Sequence, residues 1–232
     1  MKESLLLATL HNAVLEFLRG REDVVVFGAQ AVNAYVPEPR MTQEIDLLSP
    51  RAAEFAEELR EHLSRTFHIA VRVREIGEGR GYRLYQVQKQ GNRHLVDVRP
   101  VATLPASRRI AEVLVLAPAD LIASKVVAYH QRRRHPKSGT DWRDLAMLLL
   151  AFPELKQHPG PVSALLDAHE DSAGLLATWQ ELVAQEIKPL DEDGEFLQLP
   201  PQPRTQYFCV SPDALGAQLA LVAEQALHPF EG

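Results

Sequence analysis

Cysteine is nearly absent from this chain. A single Cys209 among 232 residues excludes an intramolecular disulfide and a cysteine-rich zinc site. It fits a reducing, cytoplasmic setting, and with no His or helix start beside it, Cys209 does not read as a nucleophile. Long apolar runs are missing too. The N-terminal Leu5-Leu6-Leu7 run is broken by His11 and Asn12, too short for a signal peptide core or a membrane span, so no membrane partner is expected. There is no internal repeat and no low-complexity tract. His68, His94 and His130 are scattered without metal-ligand spacing and read as surface or core histidines. Trp142 and Trp179 read as core residues rather than base-stacking platforms.

Apolar residues make up 46% of the chain and charged residues 24%, ordinary values for a globular protein. The formal charge of −6 is unevenly spread. Residues 72–144 hold fifteen Lys and Arg against seven Asp and Glu, a local +8, and the remainder holds ten against twenty-four, a local −14. A basic middle in an acidic chain points to a face that meets phosphates; scattered surface charge is the plainer alternative.

Hydrophobic periodicity predicts a helix over 4–19, a buried strand over 23–27, a short helix over 29–35, a strand over 44–48 and a helix from Pro50 to about 67. Strands over 69–75, 82–88 and 94–99 follow as an antiparallel meander, parted by Gly77-Glu78-Gly79 and Gln90-Gly91-Asn92. A short strand over 113–116 leads to helices over 118–133 and 141–152, then 161–169 and 172–187. Residues 189–206 read as a loop and 211–227 as a last helix. The expected class is α+β: a mixed sheet with flanking helices over 1–116, then a helical domain over 117–232.

The chemistry concentrates in four places. Glycine closes the strand Val24-Val25-Val26-Phe27-Gly28 and precedes a helix. Gly28-Ala29 would let backbone approach a phosphate at that helix N-terminus, although such a glycine is more often only a turn. Sixteen positions on stands Glu44-Ile45-Asp46. Side chains at i and i+2 of a strand share a face, so Glu44 and Asp46 form a close acid pair that asks for a cation. Asp97 sits inside the apolar strand His94-Leu95-Val96-Asp97-Val98. A buried carboxylate needs a metal or a partner, and Arg99, on the same strand face, is the alternative to a metal. Lys125 lies in an otherwise apolar helix, either snorkelling to the surface or reaching a triphosphate. Beyond it runs the basic loop Arg132-Arg133-Arg134-His135-Pro136-Lys137, then Asp141-Trp142-Arg143-Asp144-Leu145. Asp141 reads as a helix cap or a site acid. Asp144 reads as a surface acid or as an ion-pair partner of Arg143 or Lys125.

The order glycine turn, acid-x-acid strand, helical lysine and Asp-x-x-Asp-Leu helix resembles the nucleotidyltransferase superfamily with the DNA polymerase β-like fold, and within it the AbiEii branch of toxin–antitoxin systems. The resemblance spans roughly residues 22–152. It implies an enzyme that transfers NMP from an NTP to an RNA (tRNA-like) or protein hydroxyl with Mg2+ or Mn2+, and a toxin paired with a cognate antitoxin. It further implies metal ligation by Glu44, Asp46 and Asp97, with Asp97 alternatively the base for the acceptor hydroxyl. Nucleotide contacts fall to Gly28, Ala29, Lys125 and Asp144. Asp141 would orient Lys125 or the nucleotide, and Arg132, Arg133, Arg134 and Lys137 would grip RNA. The chain departs from the pattern at Ala29, where serine is common, at Glu44, where aspartate is usual, and at Thr140, where a basic residue is frequent. These departures leave open a catalytically impaired nucleotide-binding or interaction protein. A purely structural domain, its acids paired with arginines, would require Glu44, Asp46 and Asp97 to lie far apart.

Overall fold

The computed structural model describes residues 6–187 apart from 134 and 136. The loop expected at 189–206, the helix expected at 211–227 and Cys209 lie outside the described residues. Helix α1 spans Leu7–Leu18, β1 Val25–Phe27, α2 Gly28–Tyr35, β2 Ile45–Ser49 and α3 Ala52–Phe67. Then come β3 (Val71–Ile76), β4 (Gly81–Gln88), β5 (Gly91–Pro100), β6 (Ser107–Ile110) and β7 (Val113–Leu116). Helices α4 (Pro118–Gln131), α5 (Ser138–Ala151), α6 (Pro161–Asp167) and α7 (Ser172–Ala184) complete the described chain.

The strands form one mixed sheet in the order β3-β4-β5-β2-β1-β7-β6. Its class is the α+β expected from the periodicity. The all-valine run Val24-Val25-Val26 is buried, as a strand flanked on both sides requires. β1 pairs antiparallel with β2, which pairs in parallel with β5, so the β3–β5 meander is joined to the centre of the sheet through β2. Helix α3 packs its Phe55, Leu59 and Leu63 stripe on the meander. Helix α4 packs against α2, α5, α6 and α7. One continuous apolar core runs from Leu10 and Phe55 through the strands to Leu121, Leu148 and Trp179.

The edge strand β6 has no counterpart in the periodicity. Its sequence, Ser107-Arg108-Arg109-Ile110, is polar because it pairs only with β7, and charged residues suit a sheet edge. The hairpin turn between β6 and β7 is Ala111-Glu112, both at positive φ (46° and 64°). That turn lacks the Asn-Gly signature by which such hairpins are read.

Candidate active site

A cleft of about 920 Å3 opens where the C-terminal end of β1 and the start of β2 face α4 and α5. Its floor includes Gly28, Ala29, Glu44 and Asp46, and Lys125, Arg132, Thr140 and Asp141 line the opposite side. Gly28 and Asp141, 113 positions apart in sequence, thus meet in one cavity.

Gly28 is fixed by geometry. Its φ is +69°, and a Cβ built on it would stand 2.2 Å from Asp46 Oδ2. The antiparallel register pairs Phe27 with Asp46, which brings the acid against the turn. Only glycine combines the left-handed backbone with that contact. Ala29 sits in the first turn of α2, whose amides have no partner within the helix.

Glu44 stands one residue before β2 rather than inside it. Asp46 is the second residue of that strand, half-buried, and forms no ion pair among the described residues. Burial pushes its carboxyl up to about 6, and Glu44 and Asp97 add to the rise while Arg99 and Lys125 oppose it. In the unfolded chain the same group titrates near 3.8. Between those two values the folded state holds more proton than the unfolded one, so this carboxyl makes stability fall as pH rises through the window. Asp46→Asn is therefore expected to stabilise the protein by about 1–3 kcal/mol at pH 7.5 and to change little at pH 4. Urea unfolding at both pH values checks this; an equal effect at the two would contradict it.

Asp97 lies beside Asp46 in the parallel β2–β5 register, but it does not line the cleft. Its partner is Arg83 from β4 rather than Arg99. Arg83 donates from Nε to Oδ1 at 2.8 Å and from Nη2 to Oδ2 at 2.9 Å, and His94 Nε2 is 2.8 Å from Oδ1. Burial alone would raise the Asp97 carboxyl, yet the bonds from Arg83 and His94 outweigh it and hold the group well below the usual carboxylate range. Arg99 instead lies over the Phe27 ring, 5.1 Å from its centroid, at the cleft wall.

Lys125 is not a snorkelling lysine. It is buried in α4, lines the cleft and donates to Asp144 Oδ2 at 2.7 Å. Asp144 is neither a surface acid nor part of the cleft wall: its side chain is 0% exposed. It sits behind the cations and also accepts from Arg40 Nε at 2.8 Å and Nη2 at 2.9 Å. Burial would raise Asp144, but these two cations pull it down and keep it ionised. Arg40 has no sequence signal. Its backbone is held by Asn33 through bonds of 2.8 and 3.0 Å, and its guanidinium lines the cleft.

Asp141 makes no side-chain cap at the start of α5. It is buried, and its Oδ2 lies 3.1 Å from Arg132 Nε as an ion pair rather than an aligned hydrogen bond. Burial raises its carboxyl, with Arg132 and Lys125 opposing. The basic loop divides. Arg132 and Lys137 line the cleft, whereas Arg133 pairs with Glu181 on α7. Arg134 lies outside the described residues. His130 bonds Thr178 at 2.7 Å and so ties α4 to α7. Trp179 is fully buried, as expected, and Trp142 lies half-buried near Tyr129.

Among the described residues no group of three or more His, Cys, Asp or Glu is gathered to hold a metal ion by itself. Magnesium needs no such cage: it takes one or two carboxylates and completes its shell with water and phosphate oxygens. Glu44 and Asp46, both on the cleft floor, fit that demand. No described helix is long and apolar enough to cross a membrane.

Comparison with known proteins agrees on the fold. The Megavirus polyadenylate synthase superposes with a TM-score of 0.53 at 14% identity, over 66% of this chain and 33% of that one. This chain thus spans about a third of that enzyme's length. More distant matches include an antigenic nucleotidyltransferase-like protein from Paracoccidioides brasiliensis (TM-score 0.43, 18% identity, 75% of this chain and 92% of that one). ANT(2'')-Ia in complex with adenylyl-2''-tobramycin matches at a TM-score of 0.42 and 15% identity, over 77% and 98% of the two chains. No curated protein matches the sequence significantly. The family profile described as "Nucleotidyl transferase AbiEii toxin, Type IV TA system" matches residues 14–207, well over half of the chain. The protein therefore belongs to the AbiEii family of nucleotidyltransferases.

Proposed function

We propose that the cleft binds an NTP with Mg2+ (or Mn2+) and that the protein transfers NMP to a hydroxyl of an RNA, tRNA-like acceptor, or of a protein. The observation that carries this reading is Asp46: a carboxylate without an ion-pair partner among the described residues, half-buried on the cleft floor beside Glu44 and against the Gly28 turn. A group pushed toward protonation by burial and by neighbouring acids is stabilised as an anion by a cation. Glu44 and Asp46 would hold the divalent ion, which when bound neutralises charge on the transferring phosphoryl group.

The remaining roles fall to the chain's own groups. The amides of Gly28 and Ala29 at the α2 N-terminus receive phosphate oxygens. Lys125 and Arg40 supply two positive charges across the cleft, and Asp144 behind them fixes both heads. Asp141, paired with Arg132 at the cleft lining, contacts the nucleotide or orients Lys125. Catalysis by such a set is positioning and charge neutralisation. Arg132 and Lys137, with Arg133 and Arg134 nearby in sequence, meet the acceptor's phosphates. Helices α4–α7, the described part of residues 117–232, act as a unit bringing Lys125 and Asp141 to the sheet unit of 1–116. Membership in a toxin family supports a cytoplasmic toxin held in check by an antitoxin.

Incubation with each α-labelled NTP, Mg2+ and cellular RNA is the test. Label should appear in RNA with the wild type and fall to background with Asp46→Asn. A second reading, a nucleotide-binding protein without transfer, is favoured by one observation: Asp97 is engaged by Arg83 and His94. Nucleotide binding without transfer to RNA or protein would select it.

A further inference from the structure

The three acids of the motif do not share one condition. Asp46 and Asp97 are neighbours in register, but Asp46 lines the cleft without an ion-pair partner among the described residues, and Asp97 is closed off by a bidentate arginine. Paired N–H···O bonds of this kind are the strong form of the carboxylate–guanidinium contact. The two partners differ in exposure: the Arg83 side chain is 44% exposed and that of Asp97 10%. Arg83 can therefore turn out into water at little desolvation cost, while the acid remains in place. Its neighbours favour that movement. Arg74 stands directly opposite Arg83 across β3 and β4, and like charges facing each other on a sheet repel. Arg74 is exposed and forms no ion pair among the described residues. His94 spans the acids, with Nε2 at 2.8 Å from Asp97 and Nδ1 at 3.8 Å from Glu44.

We propose that Arg83 is a tethered cation that competes with a divalent metal ion for Asp97, holding the third acid out of the site until the ion displaces it. The inference rests on the reading of Glu44 and Asp46 as metal ligands and adds a latch to it. While the latch is closed, the ion meets two carboxylates; when Arg83 swings out, it meets three. The resting chain thus has a weaker ion site than its acids could build, and the ion's arrival is coupled to release of the β4 side chain.

The test is Mn2+ binding to the full chain followed by electron paramagnetic resonance, without nucleotide. Arg83→Gln removes the competing cation and leaves Asp97 with His94 as its remaining partner, so Kd for Mn2+ should fall about tenfold, since ligand charge count sets the affinity of such sites. Arg74→Glu offers Arg83 another acid while keeping Arg83 itself, and should shift Kd the same way by a smaller factor. Adding Asp97→Asn to Arg83→Gln should erase the gain. If the wild type binds Mn2+ and neither Arg83→Gln nor Arg74→Glu binds it more tightly, the latch is overturned and the two-acid site stands. If no variant binds Mn2+, the metal site and the latch fall together.

Discussion

Asp144→Ala is expected to destabilise the protein by about 3–5 kcal/mol, because it strips the shared counter-ion from Lys125 and Arg40. Asp144 is fully buried and accepts three bonds of 2.7 to 2.9 Å from those two side chains. Lys125 is itself buried, so the substitution leaves that cation without its hydrogen-bonded counter-ion. A loss of that size is a large fraction of the 5–15 kcal/mol that holds a typical domain. Urea unfolding of the full chain reads it. Asp144→Asn should fall between alanine and wild type, since an amide oxygen still accepts a bond but carries no charge. A loss under about 1 kcal/mol for Asp144→Ala would mean that the triad is solvated, as surface pairs are.

Gly28→Ala carries the other large effect. The added Cβ meets Asp46 Oδ2 at 2.2 Å, in a backbone with φ +69°. The left-handed conformation alone costs an L-residue about 1–2 kcal/mol. The contact forces either the turn or the acid to move, and a displacement near 1 Å at a reacting centre costs about 100-fold in rate. Nucleotidyl transfer by Gly28→Ala should therefore drop by at least that factor. A double-mutant cycle separates strain from clash. In an Asp46→Ala background the Oδ2 atom is gone, so Gly28→Ala should cost less stability than in the wild type. Equal costs in both backgrounds would show that the backbone, not Asp46, reserves the position for glycine.

What could be read beforehand was local. A valine run ending in glycine specifies a buried strand and a turn, and Asp46 falls opposite that turn because β1 and β2 are joined by one short helix. Lys125 is legible as a lone charge on an apolar helix. The contacts of the acids were not legible, because they depend on register and on loops. His94 and Asp97 are three residues apart and on a regular strand would face opposite ways. The irregularity between Leu84 and Tyr85 sets His94 opposite Tyr85 and Val96 opposite Leu84, so β5 carries an extra residue and both side chains reach the same face. Arg83 reaches Asp97 only through the β4–β5 register. Arg40 lies in the loop after Pro37 and Pro39 and meets Asp144 across 104 positions of sequence. No periodicity encodes such a contact; it exists because α5 packs against α2.

The same geometry sharpens the meaning of Glu44. It precedes β2 rather than lying in it, and its side chain is 37% exposed. Its longer arm starts from a less fixed point of the backbone, while Asp46 is held by strand pairing. The weight of the site therefore rests on Asp46.

The most direct measurement is transfer from paired labels. The protein is incubated with Mg2+ and an NTP labelled at the α- or the γ-phosphate, together with cellular RNA and protein. The account predicts that the α-label alone enters an acceptor, and that Asp46→Asn abolishes it while remaining folded. Incorporation of the γ-label, or α-label transfer undiminished in Asp46→Asn, would contradict it.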